Sequence, residues 1–145
     1  MEYNIKPCLF PAFLSEDVSS INTKLKLKTN LSDSYNFEVQ FKQDKLDIPY
    51  RTYVETPSMI ELASLSNKEP LVFSCFMTRH HDGYIREHYL KNVIKSSEAW
   101  IIPYISQLVG EYVIEILFEI NSNLDKIERV KYIEFFKDNP DFIIE

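Results

Sequence analysis

The chain reads as an α+β fold: a small N-terminal antiparallel sheet followed by antiparallel helix hairpins. Three observations predict this. Before Thr56, apolar and polar residues alternate with period two, as in Phe37-Glu38-Val39-Gln40-Phe41. After Pro57 the apolar residues recur at helical spacing, as in Val113, Ile116, Leu117 and Ile120. The protein's only two glycines, Gly83 and Gly110, fall between helical stretches, where a glycine avoids the roughly 1 kcal/mol it costs inside a helix. At 145 residues and 45% hydrophobic content, one domain is expected, with a β-containing part over 1–55 and a helical part over 56–145.

In order, residues 1–20 are broken by Pro7 and Pro11. Cys8, Leu9, Phe10, Phe13 and Leu14 form an apolar knot expected to tuck against the body. Ser15-Glu16-Asp17 caps a short helix running to about Ile21. Lys24-Leu25-Lys26-Leu27-Lys28 predicts an edge strand, with lysines on its outer side. A second strand over Phe37–Phe41 and a third from Leu46 to Tyr50 follow, joined by a turn at Gln43-Asp44-Lys45. Thr52 and Val54 continue the third strand's apolar side, and Pro49 places it at an edge.

Thr56-Pro57 starts a helix carrying Met59, Ile60, Leu62, Ala63 and Leu65 inward. Ser66 to Pro70 interrupts it. Leu71 to Met77 is nearly all apolar and therefore central. The next helix spans about Tyr84 to Ile94, with Glu87 and Lys91 four apart in the favourable order. Trp100 to Leu108 is helical, its start delayed or bent by Pro103. Asp125 and Glu128 resemble a capping box for a last helix whose inner stripe is Ile127, Val130, Ile133 and Phe136. Asn139-Pro140 ends it. The apolar end, Phe142-Ile143-Ile144, either docks on the body or supports a homodimer.

Val72-Phe73 aligns on Trp100-Ile101, and with the same shift Tyr84-Ile85-Arg86-Glu87 falls on Tyr112-Val113-Ile114-Glu115. Each copy is an apolar helix, an elbow and an amphipathic helix. With Asp82 at the elbow, Arg86 four residues on and Pro103 inside a first helix, residues 70–137 resemble HEAT-type helical repeats. The resemblance implies a binding scaffold with an Asp–Arg ladder between neighbouring repeats. Ile114 stands where the second arginine would fall. The Thr78–Glu87 stretch, together with Pro103-Tyr104 and Gly110-Glu111-Tyr112, also resembles an uncharacterised bacterial family, which implies no activity.

Composition narrows the function. The formal net charge of −6 argues against nucleic acid as a partner. No apolar run approaches the roughly 20 residues that a membrane span needs, and no signal segment opens the chain. Cys8 and Cys75 do not form a metal-type pair, so a reducing, cytoplasmic setting is expected. With two glycines there is no glycine-rich phosphate loop.

The candidate site is Arg79, His80, His81, Asp82 and Arg86, joined by Glu111 and Glu115 from the acidic row Glu111, Glu115, Glu119. Two histidines beside a carboxylate are the residue types for metal ligation or proton transfer. His81-Asp82 is similar to the His-Asp step of the HD phosphohydrolases, which implies a metal-dependent hydrolase. That family's upstream histidines have no counterpart before His80. Neighbouring helical residues also point about 100° apart, so both rings reach one ion only from a loop. The structural alternative is Asp82 as a helix cap, with the histidines bonded to backbone. The glutamates either pair with Arg79 and Arg86 or form a ridge for a basic partner. Three functions follow: a non-enzymatic protein-interaction module binding an unidentified protein without cofactor or metal; an acidic immunity or antitoxin-type inhibitor of a bacterial effector; and the hydrolase on His80, His81 and Asp82.

Overall fold

The computed structural model describes residues 1–109 and 129–142. The α+β class is as expected, a two-stranded antiparallel sheet with helices around it. Two 3-10 turns, Pro7–Leu9 and Ala12–Leu14, lead into helix α1, Ser15–Leu25. Leu9, Phe10 and Leu14 are buried, but Cys8 and Phe13 face outward. Phe10 stacks on Tyr104 with ring centroids 5.4 Å apart, which anchors the N-terminal arm to the helical part of the chain.

Helix α1 runs past the expected stop at Ile21, because Val18, Ile21 and Leu25 make one buried stripe at i, i+3, i+7. Ser15 is its first residue rather than its cap, and Glu16 and Asp17 sit favourably in the first turn. The expected edge strand over Lys24–Lys28 is therefore not formed. Leu25 ends the helix and Lys26 turns the chain in the left-handed region (φ 48°). The same alternation of buried leucines and outward lysines is thus met by a helix end and a reversal.

Strands β1, Asn36–Phe41, and β2, Asp44–Pro49, form the sheet. Their turn is Lys42-Gln43, with Lys42 at φ 53°, one position earlier than the sequence suggests. Phe41 opposite Asp44 closes the turn, so Val39 and Phe37 also face β2 with their hydrogen-bonding groups. Asn36, Glu38 and Gln40 then point theirs away from it. Pro49 pairs with Asn36 at such an outward position, where a missing N–H breaks no rung.

Helix α2, Met59–Ala63, begins two residues after the expected Thr56-Pro57 start. Ser58 is its N-cap, in a reciprocal capping box with Glu61. Met59 and Ile60 are exposed, and only Leu62 and Leu65 lean on the core. Asn67 then takes φ 57°, a conformation its short polar side chain tolerates.

Helix α3, Glu69–Met77, is central as expected, with every residue from Val72 to Met77 buried. Burial alone would raise the Glu69 carboxyl. Hydrogen bonds from Lys24 at 2.7 Å, Ser20 and the Ser66 amide, with the charge of Lys24, outweigh it and hold the group below its usual range. This ties α3 to α1.

Helix α4, Gly83–Val93, packs on α3 as the first predicted hairpin. Gly83 opens α4 as its first residue with no positive φ, so the elbow does not use that freedom. A 3-10 turn, Ala99–Ile101, precedes α5, Ile102–Val109, which places Pro103 in the first turn. The second predicted hairpin, with the stripe from Val113 and the Asp125 cap, lies outside the described residues. Stacking of HEAT-like repeats is accordingly not a feature of the described fold.

Helix α6, Arg129–Asp138, carries two apolar stripes, and the expected one is turned outward. Val130, Ile133 and Phe136 are 67%, 54% and 37% exposed, whereas Phe135 is buried and Tyr132 half-buried. Aromatic bulk decides: Tyr132 and Phe135 lie on the stripe that also holds Asn139, and Phe135 packs on Phe142.

The Asn139 carboxamide accepts from the Gln40 amide at 2.6 Å and donates to the Gln40 carbonyl at 2.7 Å. It thereby closes part of β1's outer edge. Asn22 does the same for Ile5, at 2.8 and 2.9 Å. Asn139→Ala should destabilise the fold by about 1–2 kcal/mol and speed hydrogen exchange at the Gln40 amide. Unchanged exchange there would show that the clasp adds nothing. One core joins the two parts: Leu14, Ile21, Val39 and Ile48 share it with Phe76, Leu90, Trp100 and Leu108.

Candidate functional site

The elbow between α3 and α4 begins where α3 tightens. Arg79 and His80 donate to Phe76 and Met77, each three residues back, and the Thr78 hydroxyl donates to the Cys75 carbonyl. The chain is then caught by a strand-like segment. The Thr52 amide donates to the Arg79 carbonyl at 2.8 Å, and the His81 amide donates to the Thr52 carbonyl at 3.0 Å. Single bridges continue outward, from Val54 to Thr29 and from Lys28 to Glu2. Three segments far apart in sequence, around Thr52, Thr29 and Glu2, thus back the elbow in turn.

His80 is buried and both its ring nitrogens are engaged. Nε2 lies 2.8 Å from the Val54 carbonyl, and Nδ1 accepts from the Asp82 amide at 3.0 Å. A carbonyl only accepts and an amide N–H only donates, so the proton is on Nε2 and Nδ1 is bare. Burial pushes the pKa of His80 down, with His81 and Arg86 adding to this and the Val54 bond and Asp82 opposing it. The ring is neutral and its one lone pair is used. It has nothing left to offer a metal or a substrate proton.

Arg86 is buried beneath the elbow. Its Nη1 donates to the carbonyls of His80 at 2.8 Å and His81 at 3.0 Å. Arg79 is fully buried, and its Nη1 reaches the Tyr50 carbonyl at 3.3 Å. Asp82 caps α4, its Oδ1 accepting from the Tyr84 amide at 2.8 Å.

Of the predicted site residues, Arg79, His80 and Arg86 are therefore under the surface, where they shape the elbow from below. His81 is exposed and Asp82 half-exposed. Glu111 and Glu115 lie outside the described residues, and so does any pairing of theirs. The His81 ring lies against Tyr53 at 5.0 Å and against His80 at 4.5 Å. Tyr84, in the first turn of α4, is 78% exposed. Sequence reasoning passed over Tyr53 and Tyr84. Tyr53 was legible as the outward residue between Thr52 and Val54; Tyr84 carried no signal beyond its place in the first turn of α4.

Among the described residues, no three His, Cys, Asp or Glu side chains come together as a metal site. Cys75 is buried, and burial raises its thiol well above the usual range, so it is no nucleophile at neutral pH. No helix of the described residues is long and apolar enough to cross a membrane. What the fold and site define is an α+β chain with a rigid, aromatic-faced helix elbow. Compared with known proteins, the chain matches no family model, no curated sequence and no solved structure.

Proposed function

We propose that the chain is a non-enzymatic protein-interaction module, built on helix hairpins, that offers its elbow to a protein partner. The contact residues are His81, Asp82, Tyr53 and Tyr84; Arg79, His80 and Arg86 hold them in place from below. The observation that supports this most is the stack of exposed His81 on half-buried Tyr53, seated on a neutral, doubly bonded His80. Rigid aromatic side chains on a fixed backbone lose little entropy on binding, which is what a recognition surface needs. In this reading Glu111 and Glu115, which lie outside the described residues, contribute acidic charge to recognition.

The test is affinity capture from the source cell with wild type and a His81→Ala/Tyr84→Ala double variant. Both side chains are on the surface, so the variant should melt within a few degrees of wild type. Recovery of the specific co-purifying protein should fall at least about tenfold, as for loss of interface anchors of roughly 1.4 kcal/mol or more. Equal recovery by the double variant would rule the elbow out as the contact surface.

A further inference from the structure

The geometry points to the outer edge of β1 as a second recognition site, one that takes an extended, lysine- or arginine-bearing segment of a protein partner as a third strand. It is separate from the elbow and does not rest on it. The register turns the N–H and C=O of Asn36, Glu38 and Gln40 away from β2. Asn139 occupies those of Gln40. Those of Glu38 meet no partner among the described residues. They open into a cavity of about 420 Å³, with Phe37 and Phe142 in its lining. The Asn139 carboxamide stands where the peptide group of a neighbouring strand would stand. A segment entering beside it finds its next rung two residues along β1, at Glu38, roughly 6.8 Å away.

Charge selects the occupant. The lining holds three carboxylates, Glu38, Asp138 and Asp141, and a single basic residue, Lys45, 3.3 Å from Glu38. Glu38 also lies directly across from Asp47 on β2, a like-charge pair on the same face. A residue that pairs with Glu38 from the open side shares this face. A lysine or arginine there relieves the repulsion, and a carboxylate adds to it. The next residue of the same segment turns to the other face, toward Phe37 and Phe142. An alternation of basic and apolar residues in an extended strand therefore matches the site, by main-chain addition with side-chain selection.

The test uses the full chain labelled with nitrogen-15, titrated with a short acetylated peptide of alternating valine and lysine. Amide shifts should centre on Asn36–Gln40 and Asp138–Phe142, and exchange of the Glu38 amide should slow. The valine–glutamate analogue should bind at least about tenfold more weakly. So should the valine–lysine peptide to a Glu38→Lys/Asp141→Lys variant, whose exposed substitutions leave the melting curve in place. Equal binding of the acidic peptide, unchanged binding by the variant, or shifts centred away from β1 would overturn the proposal. So would light scattering showing that a second copy of this chain already covers the edge.

Discussion

Arg86→Leu will cost the protein about 3 kcal/mol, the loss expected when a buried charged donor to two carbonyls is removed. One nitrogen, Nη1, supplies both N–H groups, to His80 at 2.8 Å and His81 at 3.0 Å. Leucine fills much of the space but leaves both acceptors without those donors. For a chain near 150 residues the midpoint of thermal unfolding should drop by roughly 6–12 °C. Arg86→Lys should recover only part of this, because an ammonium on a flexible stem does not reproduce the planar guanidinium. A loss below about 1 kcal/mol in urea unfolding would show that the elbow carbonyls are satisfied in some other way. Charge reversal at Arg86 is for the same reason a test of folding and no test of binding.

The second large effect is a dependence on pH centred on His80. Its folded pKa is depressed, so the unfolded chain binds the proton first as acid is added. Stability is therefore full above the unfolded value of about 6.5 and falls as pH drops from there through the folded value, by up to about 1.4 kcal/mol per pH unit. Protonation at Nδ1 would also set a donor against the Asp82 amide. His80→Gln retains a donor for the Val54 carbonyl and cannot titrate. Urea midpoints from pH 7 to pH 5 should decline more steeply for wild type than for this variant. Asp33, whose carboxyl is raised by burial, shifts stability the opposite way, but both proteins share it and it cancels in the difference. Parallel curves would mean that His80 already accepts a proton in the fold.

Local chemistry made much of this readable from sequence. Leu71 to Met77 could only be central, being apolar on every side. Asp82 before Gly83-Tyr84 read as a cap, and Pro103 belonged near a helix start. The β-hairpin showed in its alternation. What escaped was set by partners distant along the chain. Single bridges such as Thr52 to His80 leave no period behind. Lys26 takes a left-handed turn that no residue preference announces. In α6 both candidate stripes are apolar at helical spacing, and only the aromatic bulk of Tyr132 and Phe135, with the Asn139 clasp, turns one of them inward. At the elbow burial depth was not legible: Arg79 and Arg86 look like surface charges until Tyr50, His80 and His81 supply carbonyls for them.

The Asn139 clasp has a consequence for chemical ageing. Asparagine side chains convert to aspartate when the following backbone nitrogen, having lost its hydrogen, attacks the carboxamide. Residue 140 is proline, whose nitrogen carries no hydrogen. The amide that fastens the chain's end to the hairpin is thereby spared this slow decay, whereas Asn22, followed by Thr23, keeps its amide only as long as the folded backbone holds that nitrogen out of reach.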